Sequence, residues 1–377
     1  MLIPTLDASG AEKQFTLLAT GLPRDRFEPH VAVLTRTGPY ERVLRQADIP
    51  VTVLHKRFKA DPLAYWKLKR LIQRLQPDLL HTWLFAANAY GRLAVPNPPP
   101  KVIVSERCVD SWKSSWQLNI DRRLIPRTAA LVGNSQSVVD FYAEQGVPSG
   151  LMHVIPNAVT TPVQSTEDAG ELRQAVRREL GVPDDARLVL SVGRVAPQKR
   201  VDVLIWATQL LRQLTPNVFH VIVGAGEQRG KLEGLARHFT CDGVTRFLGH
   251  RQDVDRLIGA SDLFWIASDF EGQSNSLMEA MARGLPVIAS DIPANRELIE
   301  DGKTGLLVRP GDSVAFAQYA DRLLADRDWS EQLGQAARER METHHSVEAM
   351  IARYARLYES IASEESGGRT APPRAVG

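Results

Sequence analysis

Residues 271–279 read Glu-Gly-Gln-Ser-Asn-Ser-Leu-Met-Glu, behind an apolar run and ahead of a helix-like segment that Gly284 and Pro286 stop. Ser274 or Asn275 suits the N-cap, so the N–H groups of Ser276 and Leu277 have no partner within the helix and point out of its positive end. Unpaired donors backed by a helix dipole hold phosphate. Glu271 just before the turn and Glu279 one turn inside can accept hydrogen bonds from sugar hydroxyls. Taken alone, the stretch describes equally well a capped core helix with a solvated glutamate at each end. A second stretch adds charge: the run Leu188–Val192 ends in Gly193-Arg194, with Lys199 five residues on. A departing diphosphate requires fixed positive charge close by, and arginine supplies a planar fork where lysine supplies a point charge.

The elements that must position these residues follow from the spacing of apolar runs. Val31–Leu34, Val51–Leu54, Leu79–Leu80, Val102–Val104 and Ala129–Val132 precede Leu188–Val192, Phe219–Val223, Phe247–Leu248, Leu263–Ile266, Val287–Ala289 and Leu306–Val308. Helix-like segments lie between them, among them Val201–Leu214, Gln228–Phe239 and Asn275–Arg283. Short β-rich runs separated by helices predict parallel sheets with crossover helices, and the restart of the pattern predicts two doubly wound α/β domains. Arg194 and Lys199 then follow the carboxyl end of a strand, where open α/β sheets take ligands. We place the first domain at 1–160 and the second at 161–345, with the boundary in the punctuated stretch Pro156–Glu167. A helix over 346–362 carries Met350, Ile351, Tyr354, Leu357, Tyr358 and Ile361 on one stripe, and a Ser/Gly/Pro-rich tail over 363–377 is expected to be disordered. Met1–Pro4 is short for a complete first strand, so that strand is either stubby or truncated.

The ordered set Gly193-Arg194…Lys199, Gly224-Ala-Gly226-Glu, Phe247-Leu-Gly249, Glu271-x7-Glu279 and Gly284-Leu-Pro-Val resembles the retaining glycosyltransferases of family 4, which have the GT-B fold. Ile3-Pro-Thr-Leu…Gly10-Ala-Glu-Lys is similar to that family's glycine loop, and Ile155-Pro-Asn157 to its interdomain hinge. The resemblance covers nearly all of residues 1–361. It implies two Rossmann-like domains facing a cleft, with the C-terminal helix crossing back to the first, and a sugar transferred from a nucleoside-diphosphate donor, UDP or GDP. It implies that Arg194 and Lys199 hold the diphosphate, that Glu271 binds the donor sugar, and that Gly272 and the amides around Ser274, Asn275, Ser276 and Leu277 meet phosphate. Glu279 would bind the ribose, and the turns at Gly224–Glu227 and Gly249–Arg251, with Gly226, Gly249 and His250, would flank the base. Gly10 and Gly193 would allow close approach of the backbone to the donor. The family often has paired glycines in its first loop, where this chain has Ser9-Gly10.

The acceptor side is less specified. His81 and the pair Arg107 and Asp110 follow predicted strands and are the candidates for orienting a hydroxyl or holding an acceptor phosphate. The implied acceptor is a glycan, a lipid-linked sugar or another hydroxyl compound in cell-envelope or exopolysaccharide synthesis. A nucleotide-sugar 2-epimerase of similar architecture and a catalytically idle binding module are the rivals.

Other signals point elsewhere only superficially. Gly224-Ala-Gly226-Glu-Gln-Arg229 mimics a dinucleotide fingerprint but puts Arg229 at the third glycine, so no cofactor is expected. Asp253-Val-Asp255 mimics a metal pair but opens a helix-like segment without a convergent third ligand, and His344-His345 ends a helix, so no metal is expected either. Two cysteines, Cys108 and Cys241, make no disulfide framework, in keeping with a reducing, cytoplasmic location. No run of about 18 apolar residues exists. Composition is ordinary for a globular chain, with 44% hydrophobic and 24% charged residues and a net charge of +2. Residues 1–160 nevertheless carry a surplus of Lys and Arg, and the remainder a surplus of Asp and Glu. The basic segment Tyr65–Arg74 and Trp112-Lys-Ser-Ser-Trp116 read either as a peripheral contact with the inner face of an anionic membrane or as ordinary solvated surface around a core-facing helix. Nothing in the pattern suggests nucleic acid.

Overall fold

The computed structural model describes residues 1–96, 100–110, 113–160, 169–239 and 243–363. The chain forms two compact units, Met1–Ala158 together with the helix Val347–Ser363, and Val159–Ser346. The expected tail beyond 363, Trp112, Cys241 and most of the linker stretch lie outside the described residues.

The first unit is built on strands β1 Leu2–Thr5, β2 Val31–Arg36, β3 Val51–Val53, β4 Leu79–Trp83, β5 Lys101–Glu106, β6 Ala130–Gly133 and β7 Met152–Val154. They form one parallel sheet in the order β3-β2-β1-β4-β5-β6-β7. β1, four residues long, holds a central place in this sheet, where the sequence predicts a strand either stubby or truncated. Pro4 has no N–H to give the ladder, and the pairing with β2 slips in register between Ile3 and Thr5. β7 was not foreseen; it is three residues long and carries the polar His153.

Alternate residues of each strand feed opposite faces, as in a sheet covered on both sides. Ile3, Val33, Ile103 and Val132 join one core with the helices Gly10–Gly21 and Val347–Ser363. Leu2, Ala32, Leu34, Val104 and Leu131 join the other with the helices Pro62–Leu75 and Leu84–Ala94.

The second unit carries β8 Arg187–Val192, β9 Val218–Val223, β10 Thr245–Gly249, β11 Leu263–Ile266, β12 Val287–Ser290 and β13 Leu306–Val308. They make a parallel sheet in the order β10-β9-β8-β11-β12-β13. The chain runs outward from β8 to β10, then returns to place β11 on the other side of β8. The strand order therefore reverses between β8 and β11, and their carboxyl ends diverge into the crevice where doubly wound folds bind ligands.

The C-terminal helix completes the first unit. Met350, Tyr354, Leu357, Tyr358 and Ile361 are all buried. Gly21 gives it room, since a Cβ there would lie 2.0 Å from Cδ1 of Ile351. At about 1.5–3 kcal/mol per large apolar side chain buried, the stripe contributes as much as the net stability of a typical domain. Deleting residues 347–377 is therefore expected to expose the apolar face of the first sheet, seen as strong binding of a hydrophobic dye and a lowered thermal midpoint; a deletion variant with wild-type dye binding and midpoint would contradict this role.

Candidate functional site

β8 ends at Val192, and the backbone continues through Gly193 and the exposed Arg194 into a short 3-10 turn, Pro197–Lys199. Opposite, β11 ends at Ile266, and the chain continues through Ser268 and Glu271 to the helix Asn275–Ala282. Hydrogen bonds staple the two segments across the switch point. Asp269 N–H donates to the Gln198 carbonyl at 2.9 Å, and the Gln198 side-chain amide donates to the Phe270 carbonyl at 2.7 Å. Ser276 Oγ donates to the Val192 carbonyl at 2.8 Å and so pins the first turn of the helix to the end of the central strand.

Within this frame the Lys199 ammonium forms an ion pair with Glu271, whose Oε1 also accepts from Ser268 Oγ at 2.6 Å. Both partners are largely buried, with side-chain exposures of 18% and 9%. A charge so placed requires a fixed counter-charge, because an isolated ion there is costly. The Lys199 side chain lies alongside Gly193, with its Cε 3.4 Å from where a Cβ on that residue would stand, an ordinary van der Waals contact. Arg194 makes only a long contact of 3.5 Å with Gln198 Oε1, so its guanidinium stands exposed at the strand end.

The helix behind this pair is capped by Ser274, whose side chain accepts from Leu277 N–H at 3.4 Å. Gly272, Ser274 and Leu277 are buried, while Asn275, Ser276 and Glu279 are half-buried. The structure thus gathers Gly193, Arg194, Lys199, Glu271, Gly272, Ser274, Asn275, Ser276, Leu277 and Glu279 around the carboxyl ends of β8 and β11. Gly226, Gly249 and His250 lie on the next loops out, where Gly224 N–H donates to the Gly249 carbonyl at 2.8 Å and Val195 N–H to the Ala225 carbonyl at 3.0 Å. Two glycines there are steric necessities. A Cβ on Gly224, which has φ +142°, would sit 1.8 Å from the Gly193 carbonyl oxygen, and one on Gly226 would sit 2.1 Å from that of Val195. Packing of the β9 loop onto the β8 loop therefore accounts for the apparent dinucleotide fingerprint.

Gly10 belongs to the first unit, where it opens the helix Gly10–Gly21 directly after the β1 loop. His81, Arg107 and Asp110 also lie there, and each is held by neighbours. The His81 ring bonds to Tyr358 OH at 2.6 Å and to Ser105 Oγ at 2.8 Å, and burial holds its imidazole neutral, well below the ordinary histidine range. Arg107 bonds to Asn157 and to Tyr354 OH and lies over the Trp83 ring at 4.4 Å. Asp110 accepts from Tyr142 OH at 2.7 Å and pairs with Lys113, which also meets Glu106 and Asp121. Desolvation lifts the Glu106 carboxyl to about 7 against the pull of Lys113.

One feature of this unit has no sequence signal. Leu84, first in the helix after β4, adopts φ +69°, a conformation that costs a bulky residue strain and is concentrated at ligand sites. Strand β4 adjoins β1 at the point where the order of the first sheet reverses.

The metal-like residues are otherwise engaged. Arg251 donates to both Asp253 carboxylate oxygens at 2.8 and 2.7 Å and holds that carboxyl down at about 2. Asp255 pairs with Arg283. His344 is exposed at the end of the helix Arg327–His344, and its ring faces the Arg340 carbonyl at 3.3 Å. Among the described residues no cluster of three His, Cys, Asp or Glu could hold a metal, and no helix is long and apolar enough to cross a membrane.

Residues 8–162 match the sequence model of Glycosyltransferase Family 4, and residues 173–340 that of Glycosyl transferases group 1. The chain belongs to glycosyltransferase family 4. It is 27% identical over 294 residues to the lipopolysaccharide core biosynthesis glycosyltransferase LpsE of Rhizobium meliloti, covering 78% of this chain and 79% of the relative. It is 27% identical over 363 residues to the putative glycosyltransferase EpsD of Bacillus subtilis, covering 90% of this chain and 92% of that one. In structure it is similar to Anabaena Alr3699/HepE solved with UDP-glucose, with a TM-score of 0.84 and 25% identity over 96% of this glycosyltransferase and all (100%) of that chain. Its two parallel-sheet units are those of the GT-B fold.

Proposed function

We propose that this glycosyltransferase moves a sugar, with retention of anomeric configuration, from a nucleoside-diphosphate donor to a hydroxyl of a glycan or lipid-linked acceptor. The observation that carries the reading is the Lys199–Glu271 pair set between a helix N-terminus and the exposed Arg194 at the β8/β11 switch point. A sugar diphosphate presents that arrangement with its matching parts. The phosphates suit the helix N-terminus, Arg194 and Lys199, and the sugar hydroxyls suit the Glu271 carboxylate. Glu279, one turn inside the helix, suits the ribose. The loops with Gly226, Gly249 and His250 suit the base. HepE has been solved with UDP and with UDP-glucose, which favours UDP as the carrier. The name of LpsE, a lipopolysaccharide core biosynthesis glycosyltransferase, favours surface polysaccharide as the product class.

In the proposed step the acceptor oxygen approaches the anomeric carbon on the face that the diphosphate leaves. The bond from that carbon to the phosphate oxygen breaks as the new glycosidic bond forms, and the acceptor proton passes to the departing diphosphate. Charge accumulates on the diphosphate, so fixed donors aimed there lower the barrier. Lys199 alternates between two anions: it neutralises Glu271 and it stabilises the leaving group. The strained Leu84 is the proposed acceptor contact in the first unit, and His81, Arg107 and Asp110 support it as positioning residues.

Lys199→Ala should cut turnover at least ~100-fold at saturating donor, the scale of losing one oxyanion donor. It also leaves the Glu271 carboxylate without its cation. Near-normal turnover in a steady-state assay with UDP-glucose would sink the assignment. Because Asp253 and Asp255 are each committed to an arginine, transfer is expected to survive excess chelator. Complete loss on chelation that Mg²⁺ or Mn²⁺ reverses would contradict a metal-independent reaction.

A further inference from the structure

The helix Pro62–Leu75 turns Ala64, Leu68, Leu71 and Ile72 into the first unit's core. The opposite face takes no part in the fold, yet it is not an ordinary polar surface. Leu63 and Trp66 are each 55% exposed and lie in line with Arg70 and Arg74 at i, i+3, i+7 and i+11 spacing. Phe58, in the loop leading to the helix, is 56% exposed. Over residues 55–75 there are seven Lys or Arg and a single carboxylate, Asp61. That carboxylate is hidden: it is 3% exposed and accepts the N–H groups of Arg57, Leu63 and Ala64 at 2.8–3.2 Å as the helix N-cap. The face is therefore cationic without an offsetting surface anion, and three large apolar side chains stand out of it.

We propose that this face is a docking surface for anionic lipid headgroups, with Trp66, Leu63 and Phe58 as shallow apolar anchors and Arg57, Arg70 and Arg74 as the charges around them. A bilayer surface supplies both complements at once. Its anionic headgroups attract cations at roughly five-fold in partition per Lys or Arg brought near the surface. Its interfacial zone accepts the indole ring, whose apolar body and polar N–H suit that boundary. A soluble polyanion would match the charge and leave the aromatic and aliphatic side chains in water. The inference stands on the surface of the first unit and not on the sugar chemistry of the second. It gives the enzyme a way to work where an acceptor anchored in lipid would be concentrated.

The test is sedimentation of the full chain with vesicles of phosphatidylcholine, with and without about one-third phosphatidylglycerol. Wild-type protein should pellet with the anionic vesicles, remain in the supernatant with the neutral ones, and release in high salt. Arg70→Glu/Arg74→Glu and, separately, Phe58→Ser/Trp66→Ser should each lower the partition coefficient at least ~10-fold. Both double variants should keep the wild-type thermal midpoint and UDP affinity, which shows that the fold and the donor site are intact. Equal binding to both kinds of vesicle, or wild-type binding by either double variant, would overturn the proposal. Loss on charge reversal with no loss in Phe58→Ser/Trp66→Ser would assign the face to a soluble polyanion instead.

Discussion

The ammonium of Lys199 and the carboxylate of Glu271 sit on two different loops, each leaving a different strand of the second sheet, and both are largely withdrawn from water. Neither is tolerable there alone. Their pairing requires that β8 and β11 be neighbours and that their loops be stapled by Gln198, Asp269 and Phe270. The helix Asn275–Ala282 is fixed to the end of β8 by Ser276. The helix N-terminus, the lysine and the arginine thus lie together because one sheet order brings two separate pieces of chain side by side, although Leu277 N–H, expected from the sequence to point outward, is taken by Ser274 Oγ.

The first unit depends on a comparable return of the chain. Tyr358 of the C-terminal helix hydrogen-bonds His81 in the middle of β4, and Tyr354 hydrogen-bonds Arg107 just past β5. These contacts explain why the two residues most suggestive of acceptor chemistry are buried. Burial holds the His81 imidazole neutral, and bonds at both nitrogens fix its ring against Tyr358 and Ser105. The strained Leu84, immediately after Trp83 and His81, is where that support would be passed on.

Much of the second unit was legible in the sequence because its strands are apolar on both faces and its helices have marked stops. The helix predicted at Val201–Leu214 has those ends, and the one predicted at Asn275–Arg283 ends one residue earlier, at Ala282. The motif residues around Glu271 and Lys199 lie at element ends, so placing the elements placed them as well. The first unit was harder. β1 contains a proline and β7 a histidine, and neither makes a clean apolar run. The environments of His81, Arg107 and Asp110 depend on partners far along the chain: Tyr358 is 277 residues from His81, and Tyr354 is 247 from Arg107. No local pattern encodes a contact of that separation. Leu84 was invisible for a different reason, since a left-handed leucine carries no compositional mark.

The central claim is that Lys199 grips the diphosphate of the donor, and its most direct measurement is calorimetric binding of UDP and UMP to the wild type and to Lys199→Ala. If Lys199 meets the distal phosphate, the substitution weakens UDP by at least ~10-fold, the value of one charge-assisted hydrogen bond, and leaves UMP nearly unchanged. An equal loss for both nucleotides, or no loss for UDP, would contradict the account.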